Sequence, residues 1–274
     1  MKYHIEKNTV QETLVIPMYG RKMCSELFPE LFYDETAVRL IEEIDYDFSE
    51  LAQKSGSTIQ QFGFLEVAMR QSDIAWEVRD YLKTHPEAAV VNLGCGLDDT
   101  GRNCDNGSCR IYNVDFPDVI EVRNQILPAG EREENIGCDL NDTSWFEKID
   151  ASDGAVFFAA GVFKEQVEAL TAAMAEHFRG GRLVFDAAGR SAVKLMLKTW
   201  IKDAEIKDVG AYFAVADAKT ELASWSSKIS VSSRGYMLGY QILDYPSVKG
   251  FFRFLAKVGD NMMKMQIVRF DFEK

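Results

Sequence analysis

Residues Val90 to Asp99 read Val-Val-Asn-Leu-Gly-Cys-Gly-Leu-Asp-Asp, an apolar run that breaks into Gly94-x-Gly96 and meets two carboxylates at once. A second apolar stretch (Ile111, Tyr112, Val114) ends on Asp115, nineteen positions after Gly96. A buried parallel strand, a tight glycine turn and a second strand ending in an acid together form a nucleoside-binding edge. Glycine lets backbone approach a ligand closely, and the acid accepts both ribose hydroxyls.

The same layout serves NAD and S-adenosylmethionine, and residue 99 separates the two. A dinucleotide fingerprint places a third glycine there, where a helix N-terminus meets pyrophosphate. This chain carries Asp99 beside Asp98, and two negative charges repel a pyrophosphate. S-adenosylmethionine carries a sulfonium and an ammonium and no phosphate, so acids near the turn are tolerable. The residues therefore favour S-adenosylmethionine as cofactor, with Gly94, Cys95 and Gly96 wrapping its methionine part and Asp115 anchoring its ribose. The competing reading of Asp115 is a cap on the helix that begins at Pro117.

Val90 to Arg123 (VVNLGCGLDD, then CRIYNVDFPDVIEVR) resembles the leucine carboxyl methyltransferases and their bacterial relatives, the polyketide-type O-methyltransferases. The resemblance extends upstream to Ile16-Pro17, Gly20-Arg21 and Ile44 to Phe48, and downstream to Cys138-Asp139-Leu140 and Gly181-x-Leu183-x-Phe185-Asp186. It covers most of the first 190 residues and fades afterwards. It implies an α/β fold: a Rossmann-like class I methyltransferase sheet, mostly parallel with an antiparallel C-terminal strand, plus helical N-terminal and C-terminal lid elements.

The resemblance also implies site roles. Asp139 receives the adenine amino group while the Leu140 amide meets a ring nitrogen, although an Asp-Leu-Asn-Asp run is equally an ordinary helix cap. Arg70 clamps the methionine carboxylate, for which a guanidinium fork supplies two parallel bonds; the alternative is an exposed pair with Asp73. Arg21 and Lys22 fall where the family places a basic residue in its N-terminal lid, or else are simply solvated. The chain departs from the family after the fourth core strand, where Ala160-Gly161-Val162-Phe163-Lys164-Glu165 replaces an expected Glu-Gly-Val-x-x-Tyr-Leu. Asp98-Asp99-Thr100 likewise replaces Asp-Thr-Arg.

Periodicity fills in the rest. A helix is predicted over Gln61 to Lys83, ended by His85-Pro86 because proline disfavours helix at the residue before it. Pro17, Gly20 and Pro29 punctuate the helical first sixty residues. Strands are predicted at Ala89 to Leu93, Arg110 to Val114, Glu134 to Cys138, Ala155 to Ala159 and Arg182 to Phe185. Helices are predicted from Pro117 to Ile126 and from Phe163 to a glycine stop at Gly180-Gly181. This β-α alternation implies a parallel sheet with helices on both faces. A helix follows at Ser191 to Ile201, then an irregular stretch from Ala204 to Ser233, a helix at Pro246 to Val258 and a strand at Met265 to Phe272. One domain over 1–274 is expected, with a helical lid at 1–60, a cofactor core at 61–189, a lid insertion at 190–245 and a terminal helix and strand at 246–274.

A net charge of −12 argues against a nucleic-acid groove or an anionic membrane surface, both of which rest on clustered Lys and Arg. The start lacks an apolar leader and no run approaches the roughly 20 residues of a membrane span, so a cytoplasmic protein is expected. Five cysteines without a C-x-x-C pair point to reduced thiols, and Cys95 is either within reach of an alkylating reagent or only the small residue that fits. His4, His85 and His177 are scattered, with no H-E-x-x-H or G-x-S-x-G, so no metal or serine nucleophile is expected. Methyl transfer needs neither. Tyr19, Tyr212, Tyr236 and Trp225 are candidates for an aromatic acceptor pocket, with core packing the alternative. The sequence thus implies an O-methyltransferase acting on a small-molecule hydroxyl or carboxyl, polyketide-like in type. The rivals are methylation of a protein C-terminal carboxyl and cofactor binding without transfer.

Overall fold

Every residue of β3 (Ala89–Leu93) and β6 (Ala155–Ala159) is buried, which a strand achieves only when both edges pair and both faces are covered. The computed structural model describes residues 2–5, 10–161, 167–196, 214–237 and 245–274. A short parallel pair, β1 (Tyr3–His4) and β2 (Ile44–Asp45), lies apart from the main sheet. The other strands are β4 (Arg110–Asp115), β5 (Glu133–Gly137), β7 (Arg182–Ala187), β8 (Ile229–Gly235) and β9 (Gln266–Phe272). The main sheet runs β5-β4-β3-β6-β7-β9-β8. Its first five strands are parallel, and β9 is antiparallel to both β7 and β8.

The helices are α1 (Val10–Leu27), α2 (Glu35–Glu43), α3 (Ser49–Lys54), α4 (Thr58–Leu82), α5 (Thr100–Asn103), α6 (Pro117–Ile126), α7 (Val167–His177), α8 (Arg190–Met196), α9 (Ala218–Glu221) and α10 (Gly250–Asn261). Because side chains alternate along a strand, Val90, Ile111, Val156, Phe158 and Val184 face α4, with Phe252 of α10 in the same cluster. Val91, Leu93, Phe157 and Phe185 face the other way, onto Trp145, Met174 of α7 and Phe178. Chain order reverses at β3: β4 and β5 lie to one side of it, β6 and β7 to the other. In open α/β sheets the crevice beyond the carboxyl ends of the strands at such a reversal is where ligands bind.

Several expectations need correction. Pro17 and Gly20 lie inside α1. An interior proline costs a helix about 3 kcal/mol, and full burial of Val15 and Met18 beside it offsets that. A Cβ at Gly20 would sit 3.7 Å from Phe64 Cδ1, so the glycine marks the α1–α4 crossing. The end of the stretch read as irregular, and included in the lid insertion, is the edge strand β8. Its polar sequence follows from one-sided cover, since only Val231 is buried. The last helix begins at Gly250, four residues after Pro246, and that after β7 is described from Arg190 to Met196.

Candidate functional site

The turn after β3 uses left-handed backbone at Gly94 (φ 65°) and Gly96 (φ 46°), a region that only glycine adopts without strain. The amides of Gly94 and Cys95 donate to the Val114 carbonyl at 2.8 and 3.2 Å, and Asp98 N closes the turn onto Cys95 O at 2.8 Å. A Cβ at Gly96 would stand 3.0 Å from Leu14 Cδ2, so α1 lies directly over the turn. Cys95 is buried, and burial pushes its thiol up to about 12. An inert small filler is the reading that fits, and not a reachable nucleophile.

Asp115 ends β4 and faces this turn. Its Oδ2 accepts from Gly96 N and its Oδ1 from Phe116 N, both at 2.8 Å. The residue flanking the start of α6 is Phe116, with no side-chain cap, so Asp115 serves the turn and not the helix. Burial raises its carboxyl above the usual range, and the two amides oppose that shift. Phe116 is 51% exposed immediately beside it. Sequence reasoning passed over this ring, although an aromatic directly after the acid was visible.

One strand further out, Cys138 N donates to Asp115 O at 2.8 Å, which brings the β5 exit alongside. Asp139 is exposed there, and its Oδ1 accepts from the amide and side chain of Asn141, both at 2.9 Å. Half-buried Leu140 accepts Trp145 Nε1 through its carbonyl at 3.2 Å.

On the other side of β3, Arg70 reaches from α4 to Asp186 on β7, Nη1 to Oδ2 at 3.1 Å, with the two side chains 14% and 16% exposed. The exposed surface pair with Asp73 does not describe this arginine, and Asp73 itself is fully buried. Asp186 Oδ1 also accepts from Gly161 N at 2.6 Å. Arg21 is likewise buried: its Nε meets Asp34 Oδ2 at 2.8 Å and its Nη2 reaches Leu97 O at 3.4 Å. Asp34 caps α2 through Ala37 N at 2.7 Å, so Arg21 ties α1 and α2 to the glycine turn. Lys22 pairs along α1 with Glu26 at 2.7 Å.

Tyr19 is a core residue, stacked on Phe48 with ring centroids 5.5 Å apart and edge-on to Phe64. Tyr236 is buried and donates to Glu66 at 2.8 Å. Trp225 packs against Phe270. Tyr212 lies outside the described residues. Core packing therefore accounts for Tyr19, whereas half-buried Trp225 also lines a surface pocket with Asn141 and Leu170.

Two groups went unread in the sequence. Buried Arg123 on α6 donates through Nη1 to Gly96 O and Asp98 O, at 2.9 and 2.7 Å, and through Nε to Asn135 Oδ1 at 3.3 Å. Gln71 Nε2 holds Asp98 Oδ1 and Thr100 Oγ1 at 2.9 and 2.8 Å. Arg123 had one signal, a basic residue on the buried face of α6 with Val119, Ile120 and Val122. Among the described residues there is no cluster of metal-ligating side chains and no helix long and apolar enough to cross a membrane.

The chain is similar to known proteins. The family model described as leucine carboxyl methyltransferase matches residues 15–162. The tetracenomycin polyketide synthesis O-methyltransferase TcmP of Streptomyces glaucescens is 28% identical over 183 residues, 65% of this chain and 66% of the relative. The chain thus matches just under two thirds of that protein's length. Among solved structures, a DUF574 family protein from Streptomyces avermitilis has a TM-score of 0.60 at 11% identity, covering 93% of this chain and 97% of that one. The plantazolicin methyltransferase BamL, crystallised with a triazolic desmethylPZN analog and SAH, has a TM-score of 0.51 at 12% identity, covering 97% and 100%. At such identities the two structures speak to the fold alone, which is that of the class I methyltransferases.

Proposed function

The chain belongs to the leucine carboxyl methyltransferase family, and from that premise we propose that it is an S-adenosylmethionine-dependent O-methyltransferase acting on a hydroxyl or carboxyl of a small, polyketide-like molecule. The observation that carries the reading is the bond from Gly96 N to Asp115 Oδ2 at 2.8 Å. It fixes an acid for ribose hydroxyls against a turn whose glycines leave room for close backbone approach.

The residues present fit the cofactor. Gly94 and Gly96 hold left-handed backbone (φ 65° and 46°) that keeps side chains out of the turn. Arg70 Nε is buried with no hydrogen-bond partner among the described residues, so part of the guanidinium fork is available to a carboxylate. Gly94, Cys95 and Gly96 would hold the methionine part, Asp115 the ribose, Phe116 and the Asp139-Leu140 segment the adenine, and Arg70 the carboxylate. When bound, S-adenosylmethionine supplies a methyl group made electrophilic by its sulfonium. The chain's own task is then positioning, because holding two reactants in a near-attack pose supplies much of the acceleration for such a displacement. A carboxylate acceptor is already ionised and needs no base; a phenol benefits from one. The relative TcmP is by its name a polyketide O-methyltransferase, which supports the oxygen acceptor.

Calorimetry with S-adenosylhomocysteine and NAD tests the cofactor. Binding of NAD together with silence from the sulfur nucleoside would overturn it. Labelled methyl transfer to a set of small phenols and acids tests the acceptor; a labelled protein band with no labelled small molecule would move the activity to a protein carboxyl.

A further inference from the structure

Register places Leu93, Ala159 and Phe185 in one row across β3, β6 and β7. The next residue on each strand is Gly94, Ala160 and Asp186, so Asp186 stands at the carboxyl edge of the sheet in the same row as the glycine turn. Ala160 between them contributes no polar group. The chain turns at Gly161 (φ 69°), and a Cβ there would lie 3.5 Å from Arg70 Nη1. The β6 exit thus closes onto an Arg70–Asp186 pair that is 116 residues apart in sequence.

The pair engages through a single nitrogen, Nη1, while Nε is buried with no partner among the described residues. Each carboxylate oxygen of Asp186 takes one described bond, from Arg70 or from Gly161 N. Two lone pairs per oxygen leave acceptor capacity on both. The side chains are about one-seventh exposed, so this is a charge pair at the rim of the crevice and not one sealed in the core. Glu66, one turn back on α4, is engaged by Tyr236 and leaves Asp186 as the acid bonded to the guanidinium.

We propose that Arg70 and Asp186 form a clamp for a zwitterion, with Arg70 taking the α-carboxylate and Asp186 the α-ammonium of the cofactor's amino-acid end. The charge argument is direct. Arg70 is already compensated by Asp186, so a ligand bearing only a carboxylate gains one attraction and meets one repulsion. A ligand bearing only an ammonium faces the mirror image. A zwitterion satisfies both members without separating them. The inference rests on the S-adenosylmethionine reading and adds a selection rule: the protein recognises the amino-acid end as a pair of charges.

Four ligands test it by calorimetry: S-adenosylhomocysteine, its deaminated analogue (carboxylate only), its decarboxylated analogue (ammonium only) and 5′-methylthioadenosine, which lacks the amino-acid end. The wild type is expected to prefer S-adenosylhomocysteine over either single-charge analogue by about tenfold or more, the scale of hydrogen bonds to charged groups. Asp186→Asn should lose about tenfold on S-adenosylhomocysteine yet improve on the deaminated analogue, with 5′-methylthioadenosine unchanged. Arg70→Gln should reverse the pattern, favouring the decarboxylated analogue. Equal losses by Asp186→Asn on S-adenosylhomocysteine and the deaminated analogue would overturn the clamp and make Asp186 a support for Arg70. A parallel loss on 5′-methylthioadenosine would assign the effect to the fold and overturn it too. Unchanged affinity for every ligand also sinks it. If the wild type binds none of the four, the cofactor reading fails and the clamp with it.

Discussion

Arg123→Met tests whether the glycine turn is held in place from behind. Methionine keeps the helix propensity and most of the volume while removing every donor. Arg123 is 1% exposed and gives two bonds to the carbonyls of Gly96 and Asp98. A buried acceptor left without a partner costs about 1–3 kcal/mol, so two such carbonyls amount to roughly 2–6 kcal/mol. Relief from burying a guanidinium works the other way, and for a buried ion pair replaced by apolar groups it often wins. Here only one partner is removed and the carbonyls stay, so destabilisation should dominate. With an unfolding entropy of about 2.1 cal/mol/K per residue over 274 residues, each kcal/mol shifts Tm by about 2 °C. The expected fall is therefore about 4–12 °C by calorimetry, with roughly tenfold weaker S-adenosylhomocysteine binding as the turn loosens. Arg79→Met is the control. Arg79 also donates to a carbonyl, that of Asn103 at 2.8 Å, but from an exposed position, and should cost within about 0.5 kcal/mol. An unchanged or raised Tm for Arg123→Met would show that desolvation of the charge outweighs its bonds to the turn.

Asp115→Ala should weaken S-adenosylhomocysteine by about 1.5–3 kcal/mol in calorimetry and also lower Tm, because the buried Gly96 amide loses its acceptor; an unchanged dissociation constant in the folded variant would leave Asp115 a structural residue only. Asp99 is buried near Asp34 and Asp98, and burial first, then those acids, raise its carboxyl from 3.8 to about 6. Between those values the native state binds a proton that the unfolded chain does not, so this contribution to stability is full below 3.8 and lost as pH rises through about 6. Asp99→Asn should therefore stabilise the protein at about pH 7.5 by on the order of 1–3 kcal/mol and do little near pH 4, and equal effects on urea midpoints at both would refute the titration argument. Iodoacetamide followed by peptide mass spectrometry should modify Cys138, the least buried of the five free thiols, well before Cys95; early labelling of Cys95 would show the turn opening in solution.

The central strands were legible because burial on both faces writes itself as an apolar run, unbroken in β6 and broken in β3 and β4 only by the buried Asn92 and Asn113. By contrast β5, with Ile136 alone buried, was placed by its position after α6. β3 and β6 have the bounds expected of them, and β4, β5 and β7 differ by one or two residues. β8 was not, since an edge strand with one covered face needs little apolar sequence. The glycine turn was legible for a related reason: a positive φ restricts residue type, so the backbone requirement appears in the letters. Pairings were not legible. Arg70 meets a residue 116 positions away, Gln71 one 27 away and Arg123 one 25 away, and a charge in a sequence does not say which partner packing will bring to it.

Asp98 and Asp99 illustrate the difference. Read as charges they exclude a pyrophosphate, which presumes that they face the ligand. In the fold Asp98 Oδ1 accepts from Gln71, Thr100 N and Thr100 Oγ1, and its Oδ2 accepts from Asn92 Nδ2 at 3.1 Å. Asp99 is 4% exposed and accepts from Asn103 Nδ2 at 2.8 Å. Both carboxylates are thus spent on the turn and on α5. A dinucleotide site depends on free amides at the N-terminus of the helix after the turn. Here α5 has four residues, and the amide of its first, Thr100, is already bonded to Asp98 at 3.1 Å. The discrimination against pyrophosphate therefore lies in donors already occupied and a helix too short to present more, a stronger physical reason than the two negative charges that first suggested it.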